Sequence, residues 1–290
     1  MFIQLVVAAL LSGSIYGLIA LGYSLIYRAS GIMNLSQGDA MCLGGFLGYT
    51  FYSTLGLPIY LALPCTLVCT FLFGCVLEKV VIRPIFKRKV STSALILATV
   101  AVSYIIQSVE LIIWGGAPLH LHSFLKTQTI TILNVVYQTE SLLCIGVAVL
   151  AMLSLHLFMK KSSFGIAMRA AAMDPEAARS CGINVDATTR ITWAISVSLA
   201  GLVRVLVGPL FGVTTTLGTS MSTKGFASAV VGGYGDMYGA ILGGAVLSGL
   251  ETFAAGYLSS SLKQLVAYVA VLLMLFIKPR GLLNAEAVRD

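Results

Sequence analysis

Residues 28–45 read RASGIMNLSQGDAMCLGG. Just before them the chain runs AALLSGSIYGLIALGYSLIY and just after them FLGYTFY, both strongly apolar. Asn34, Ser36, Gln37 and Asp39 thus crowd together beside the glycines at 31 and 38, inside the first hydrophobic block. Two accounts compete. The segment is an ordinary solvated loop, or it is irregular backbone held at membrane depth. The second is tolerated only where the backbone is buried in protein or lines a water-filled cavity.

Composition sets the frame for that choice. The 290-residue chain is 58% hydrophobic and 10% charged, with a mean hydropathy of +0.96. A soluble domain carries roughly 25% charged residues, so this chain lacks the charge to cover a water-facing surface. It reads as all-α, a polytopic membrane helix bundle. The six cysteines show neither zinc spacing nor a C-x-x-C pair and are taken as small apolar packing residues; no metal and no cofactor is expected. The opening MFIQLVVAALL has no basic n-region and its apolar run continues, so it reads as a first membrane helix and not a cleaved signal. A net charge of +7 would suit nucleic acid, but its placement argues against that partner. The basic residues gather at Arg28; at Arg83, Lys87, Arg88 and Lys89; at Lys160, Lys161, Arg169, Arg179 and Arg190; and at Lys278 and Arg280. That is the positive-inside pattern, which marks these segments as cytoplasmic.

A span needs about 20 apolar residues. Candidates are 2–27, 38–55, 57–80, 91–114, 141–159, 188–210, 237–257 and 264–278, the last of them short. The segment 225–236 is too short to cross alone. The expectation is about eight full spans plus one broken or re-entrant segment at 225–236, in a single membrane domain covering 1–290, with the N-terminus outside and the C-terminus inside. The outer stretch 115–140 alternates Thr, Ile and Val in part and suits a small hairpin or an amphipathic cover. Glycines four apart (Gly13 and Gly17, Gly44 and Gly48, Gly235, Gly239 and Gly243) share helix faces and let another backbone approach closely.

The most polar stretch is 160–190, KKSSFGIAMRAAAMDPEAARSCGINVDATTR. Phe164 to Met173 is alanine-rich and helical. Asp174 then suits an N-cap, Pro175 the first helical position, Glu176 the first turn and Gly182 the C′ position. The second helix is about seven residues long, which is marginal alone in water, so it wants a partner surface. A plain solvated connector needs no such series of caps. The segment reads as a cytoplasmic coupling loop, with Phe164, Gly165, Arg169, Ala170, Asp174, Pro175, Glu176, Ala177, Arg179 and Gly182 as its contact residues.

Three stretches resemble a known family, the inner-membrane permease subunits of branched-chain amino-acid ABC transporters. They are ALGYSLIYRASGIMNLSQGDAMCLGGFLG at 20–48, SSFGIAMRAAAMDPEAARSCGINVDATTRITWAIS at 162–196, and GFASAVVGGYGDMYGAILGGAVLSGLE at 225–251. The likeness covers almost the whole chain. It implies a second permease subunit, similar but not identical, two cytoplasmic ATPase subunits, an external substrate-binding protein, and residence in a bacterial or archaeal cytoplasmic membrane. It also implies that energy comes from the ATPases; the chain itself has no G-x-x-x-x-G-K-[ST] motif and reads as a transport subunit, not an enzyme. One departure stands out. Where the family has small residues after an Ala-Gly pair, Ala200–Gly201 here precedes Leu202, Val203 and Arg204. A charge at depth is costly unless it snorkels, pairs or faces water. Arg204 either pairs with Glu251 or Glu110, or snorkels near the outer interface, the preferred placement; it bears on substrate choice.

With that resemblance the opening question acquires a functional side. Transporters place solutes at broken helices, where free N–H groups attract a carboxylate and free carbonyls or acids attract an ammonium. Asn34, Ser36, Gln37, Gly38 and Asp39 become candidates for the solute pathway, with packing and gating as the competing role. Gly232, Gly233, Tyr234, Gly235 and Asp236 form a weaker counterpart. The expected function is import of branched-chain or other neutral amino acids by alternating access. Urea or short amides are an alternative cargo. An ion-coupled secondary carrier is an alternative class, disfavoured because a lone carrier needs no capped docking element.

Overall fold

The computed structural model describes residues 2–88, 91–124, 129–132, 135–259, 262–278 and 281–283. Lys89 and Arg280 of the basic clusters lie outside them. The chain folds as a helical bundle: α1 Phe2–Ser30, α2 Gln37–Tyr49, α3 Ile59–Leu77, α4 Arg83–Lys87, α5 Thr92–Trp114, α6 Thr139–Lys161, α7 Ser163–Met173, α8 Pro175–Ser180, α9 Val185–Phe211, α10 Thr215–Gly232, α11 Met237–Tyr257 and α12 Lys263–Ile277. A π-helical turn over Thr50–Thr54 extends α2, and another over Glu78–Ile82 joins α3 to α4. The expected outer hairpin is present: Thr129–Ile132 (β1) pairs antiparallel with Val135–Gln138 (β2), Thr129 opposite Gln138.

Among the described residues, six helices are long and apolar enough to cross a membrane: Phe2–Ser30, Ile59–Phe86, Ser93–Trp114, Thr139–Lys161, Val185–Phe211 and Met237–Tyr257. The segments expected at 38–55 and 264–278 are also helical but shorter, as α2 with its π-turn and as α12. The isolated broken segment expected at 225–236 is corrected. Residues 225–232 are the second half of the continuous 18-residue α10, and only 233–236 form a turn. Its first half, TTLGTSMSTK, carries no apolar signal. Its hydroxyls are satisfied within their own helix, Ser220 Oγ donating to the Leu217 carbonyl at 3.0 Å and Thr223 Oγ1 to the Thr219 carbonyl at 2.8 Å, so they need no partner outside it.

Small residues set the packing. A side chain on Gly44 would strike the backbone of Gly201, so α2 and α9 touch main chain to main chain. On α1, Gly13 and Gly17 face Gly244, Ala245 and Ser248 of α11, and Gly232 of α10 lies on Gly239 of α11. Gly235, expected on the α11 ridge, instead sits in the preceding turn at φ 99°. α1 and α9 supply most of the buried apolar centre, from Leu18, Ile19 and Leu21 to Val203, Leu206 and Val207.

Contacts gather the basic segments at one end. Tyr27 packs on Tyr234 with ring centroids 4.6 Å apart, Arg83 pairs with Asp186 at 3.0 Å, and the Leu282 N–H donates to the Val231 carbonyl at 3.0 Å. The other end is closed by the 115–124 loop. There Trp114 Nε1 donates to Thr50 Oγ1 at 2.9 Å, Tyr52 OH to the Ser123 carbonyl at 3.1 Å, and Leu119 and Val213 form a two-bond backbone bridge.

Candidate functional site

The polar segment is no solvated loop. Asn34, Ser36, Gln37 and Asp39 are all buried, at 1%, 0%, 0% and 3% exposure. Gly31, at φ 69°, ends α1 and turns the chain back into the bundle, so that α2 starts opposite Gly22. Gly22 lies eight residues before the end of α1, which is about 12 Å along the axis. The polar side chains of the break thus lie inside the bundle, while Gly31 and Leu35 remain exposed.

Each polar side chain in the break finds a partner. Asn34 Oδ1 accepts from the Ser36 N–H at 3.1 Å and from Ser36 Oγ at 2.7 Å, and Asn34 Nδ2 donates to Gln37 Oε1 at 3.2 Å. Gln37 Nε2 reaches α9, donating to the carbonyl and the hydroxyl of Ser196, each at 3.1 Å; Ser196 Oγ donates on to the Gly22 carbonyl at 2.7 Å. The Leu35 N–H donates to Thr99 Oγ1 at 3.2 Å. Asp39 accepts from Gln107 Nε2 at 2.8 Å and from Ser103 Oγ, both on α5. Gly38 lies directly on Gly218 and Ser222 of α10, whose Ser222 shares a hydrogen bond with Tyr23. The network therefore ties the start of α2 to α1, α5, α9 and α10. Its α5 and α9 partners, Thr99, Ser103, Gln107 and Ser196, escaped sequence reasoning because single polar residues inside apolar helices carry no pattern until their neighbour is known.

The second turn is built differently. Gly233 and Gly235 have φ of 114° and 99°. Asp236 caps α11, its Oδ1 accepting from the Tyr238 N–H at 2.7 Å and the Gly239 N–H at 3.2 Å. Tyr234 packs against Tyr27 and Phe226, while Gly281 of the C-terminal segment lies against Gly233. α10 links the two turns, touching Gly38 near its start and ending at Gly232 beside the second.

A buried ion cluster sits midway. Lys224 of α10 pairs with Glu251 of α11 at 2.7 Å, and Tyr16 OH of α1 donates to the other Glu251 oxygen at 2.8 Å. Glu251 is thus Lys224's partner and not Arg204's. Snorkelling of Arg204 is also overturned: the side chain is fully buried, and its Nη2 donates to the Thr214 carbonyl at 3.4 Å. Gly45 explains why, since the Arg204 stem occupies the room that a side chain there would need.

The 160–190 segment forms two capped helices at the basic end. Ser162 Oγ accepts from the Gly165 N–H at 2.9 Å; Asp174 Oδ1 accepts from Glu176 and Ala177 N–H at 2.9 and 3.0 Å; Asn184 Oδ1 accepts from Ala187 N–H at 3.0 Å. Gly182, at φ 81°, ends the short α8. The structure divides the ten expected contact residues. Gly165 is buried against the end of α6, and Phe164 packs on the core. Arg169, Ala170 and Pro175 are half-buried. Asp174, Glu176, Ala177, Arg179 and Gly182 form an exposed edge together with Met173, which is 78% exposed. Arg179 also reaches Asp186 at 3.8 Å, tying α8 to the foot of α9.

Six helices of membrane-spanning length and composition in one bundle, among the described residues, define a multi-pass membrane protein. The chain belongs to the family described as the permease component of branched-chain amino acid transport systems, whose model matches residues 5–277. It is 28% identical to the high-affinity branched-chain amino acid transport system permease protein LivH of Escherichia coli K12, over 99% of this chain and 97% of that one. It is 29% identical, over the same shares, to BraD of Pseudomonas aeruginosa, which carries the same description. The probable permease protein LivH of Methanocaldococcus jannaschii is 26% identical over 96% of this chain and 91% of its own. Among solved structures, PsaBC from Streptococcus pneumoniae in complex with Fab matches 94% of this chain and 91% of that chain, with a TM-score of 0.52 at 18% identity. That likeness concerns the fold.

Proposed function

We propose that this chain is the membrane-spanning permease subunit of an ATP-driven importer of branched-chain or other neutral amino acids, working by alternating access. The observation that carries this is the capped α7–α8 hairpin. It presents a short polar edge outward, at the end of the bundle where the basic residues collect and which the positive-inside rule assigns to the cytoplasm. A six-residue helix does not hold its shape alone; here caps and the ties to α6 and α9 fix it, as a docking element requires. Two ATPase subunits would grip this edge, a second permease chain would complete the membrane path, and an external binding protein would deliver the solute. The buried break at 31–39 and the turn at 232–236, joined by α10, would then lie along the route that opens to one side at a time.

Tagged protein purified from its native host should bring ATPase subunits with it, and vesicles holding the whole complex should accumulate leucine only with ATP inside the ATPase-bearing compartment. Accumulation by this chain alone on an ion gradient would refute the proposal. Within the complex, Asp39→Asn and Asn34→Ala should lower uptake while ATPase subunits still copurify. Unchanged uptake in both would confine these residues to packing.

A further inference from the structure

α10 exposes hydroxyls where a helix such as α6 exposes hydrocarbon. Thr216, Thr219, Ser220 and Thr223 are all exposed. The last three follow the first by three, four and seven residues, which places all four on one face of the helix. The opposite face is packed: Gly218 lies on Gly38 and Cys42, Gly225 on Ile19, and Ser222 shares a hydrogen bond with Tyr23. On α6 the exposed residues are mainly apolar, among them Leu150, Leu153 and Leu157.

The stripe ends at a charge. Lys224 stands at its flank with its side chain 18% exposed; its Nζ pairs with the fully buried Glu251 at 2.7 Å and lies 5.6 Å from the centre of the Tyr16 ring. After Lys224 the helix changes character to GFASAVVG, most of it buried. The 18 residues of α10 rise about 27 Å, close to the roughly 30 Å of a bilayer core. The helix runs from beside the Leu119–Val213 bridge at one end of the bundle to the C-terminal segment at the other. Yet among the described residues it is not one of the six helices apolar enough to cross a membrane.

Hydrocarbon is a poor neighbour for such a face. A lysine at depth belongs beside protein or water. The hydroxyls of Ser220 and Thr223, although they donate within the helix, still turn oxygen lone pairs outward, which water satisfies and lipid does not. We propose that this face of α10 is one wall of a water-filled path by which the solute enters from the outer end, and that the Lys224–Glu251 pair marks the inner limit of the wet half. The inference rests on the importer reading, and it specifies that the cargo is polar: hydroxyls exchange hydrogen bonds with an ammonium or a carboxylate in passing, as water does.

The test uses the complete transporter in vesicles with its outer face outward, carrying Thr216→Cys, Thr219→Cys, Ser220→Cys or Thr223→Cys, with Leu150→Cys on α6 as the reference. A charged, membrane-impermeant methanethiosulfonate is added outside, and peptide mass spectrometry locates each modified cysteine, so the native cysteines stay in place. Only complexes that elute intact are scored. The α10 positions should react at least about tenfold faster than Leu150→Cys, because the reactive thiolate forms in water and an apolar setting raises a thiol pKa by a unit or more. Leucine-loaded binding protein should slow them relative to empty binding protein. Rates no faster than the reference overturn the proposal, since the face then meets lipid or another chain. Fast rates that leucine leaves unchanged overturn it too, since the surface is then wet but off the solute route. If the wild-type transporter takes up no leucine with ATP, the importer reading itself fails; if it does and the labelling fails, only the assignment of α10 is lost.

Discussion

Asp39 keeps its place because two α5 side chains donate to it, one from Ser103 and one from Gln107 at 2.8 Å. Removing one donor strands a buried carboxylate oxygen, a loss of about 1–3 kcal/mol. Gln107→Leu should accordingly lower the unfolding temperature of the purified protein, and a joint Asp39→Leu/Gln107→Leu variant should recover part of the loss. Gly44 makes a different demand. Any side chain there drives into the Gly201 backbone, which cannot yield as a flexible side chain would. Gly44→Leu should cost at least about 1–3 kcal/mol, visible as lost monodisperse protein on size-exclusion chromatography, whereas a leucine at Gly146, which faces open space, should be tolerated.

At the scale of elements, legibility followed chemistry. Long apolar helices announced themselves, and so did α7 and α8, whose Asp174, Pro175 and Gly182 mark starts and stops within a few residues of the backbone they serve, although the Ser162 cap of α7 went unread. α10 did not, since its serines and threonines look like loop, and only the structure shows their hydroxyls satisfied by carbonyls of their own helix. The break at 31–36 showed in its composition, but its partners stand more than sixty residues away on α5 and farther still on α9. Nor did Arg204 betray its burial, which depends on a missing side chain at Gly45, on another helix. The caps carry a prediction of their own. Asp174→Ala should remove about 1 kcal/mol from the α7–α8 junction and reduce ATPase copurification with the bundle still folded, while Asp174→Asn, which caps as well, should preserve it.

Across the whole molecule, α1, α10 and α11 are fastened by Tyr16, Lys224 and Glu251. Cutting one partner of a buried pair leaves the other uncompensated, at about 3–5 kcal/mol. Lys224→Met should therefore be more damaging in thermal unfolding than Lys224→Met combined with Glu251→Gln, which removes the stranded charge.

The main-chain contact of α2 with α9 at Gly44 and Gly201 also constrains how the protein works. Two backbones in such close register cannot slide past each other without first separating, so this crossing resists shear. In the alternating-access cycle proposed above, a swing between outward- and inward-facing shapes would turn about it, with displacement growing towards the outer loop on one side and the α7–α8 hairpin on the other.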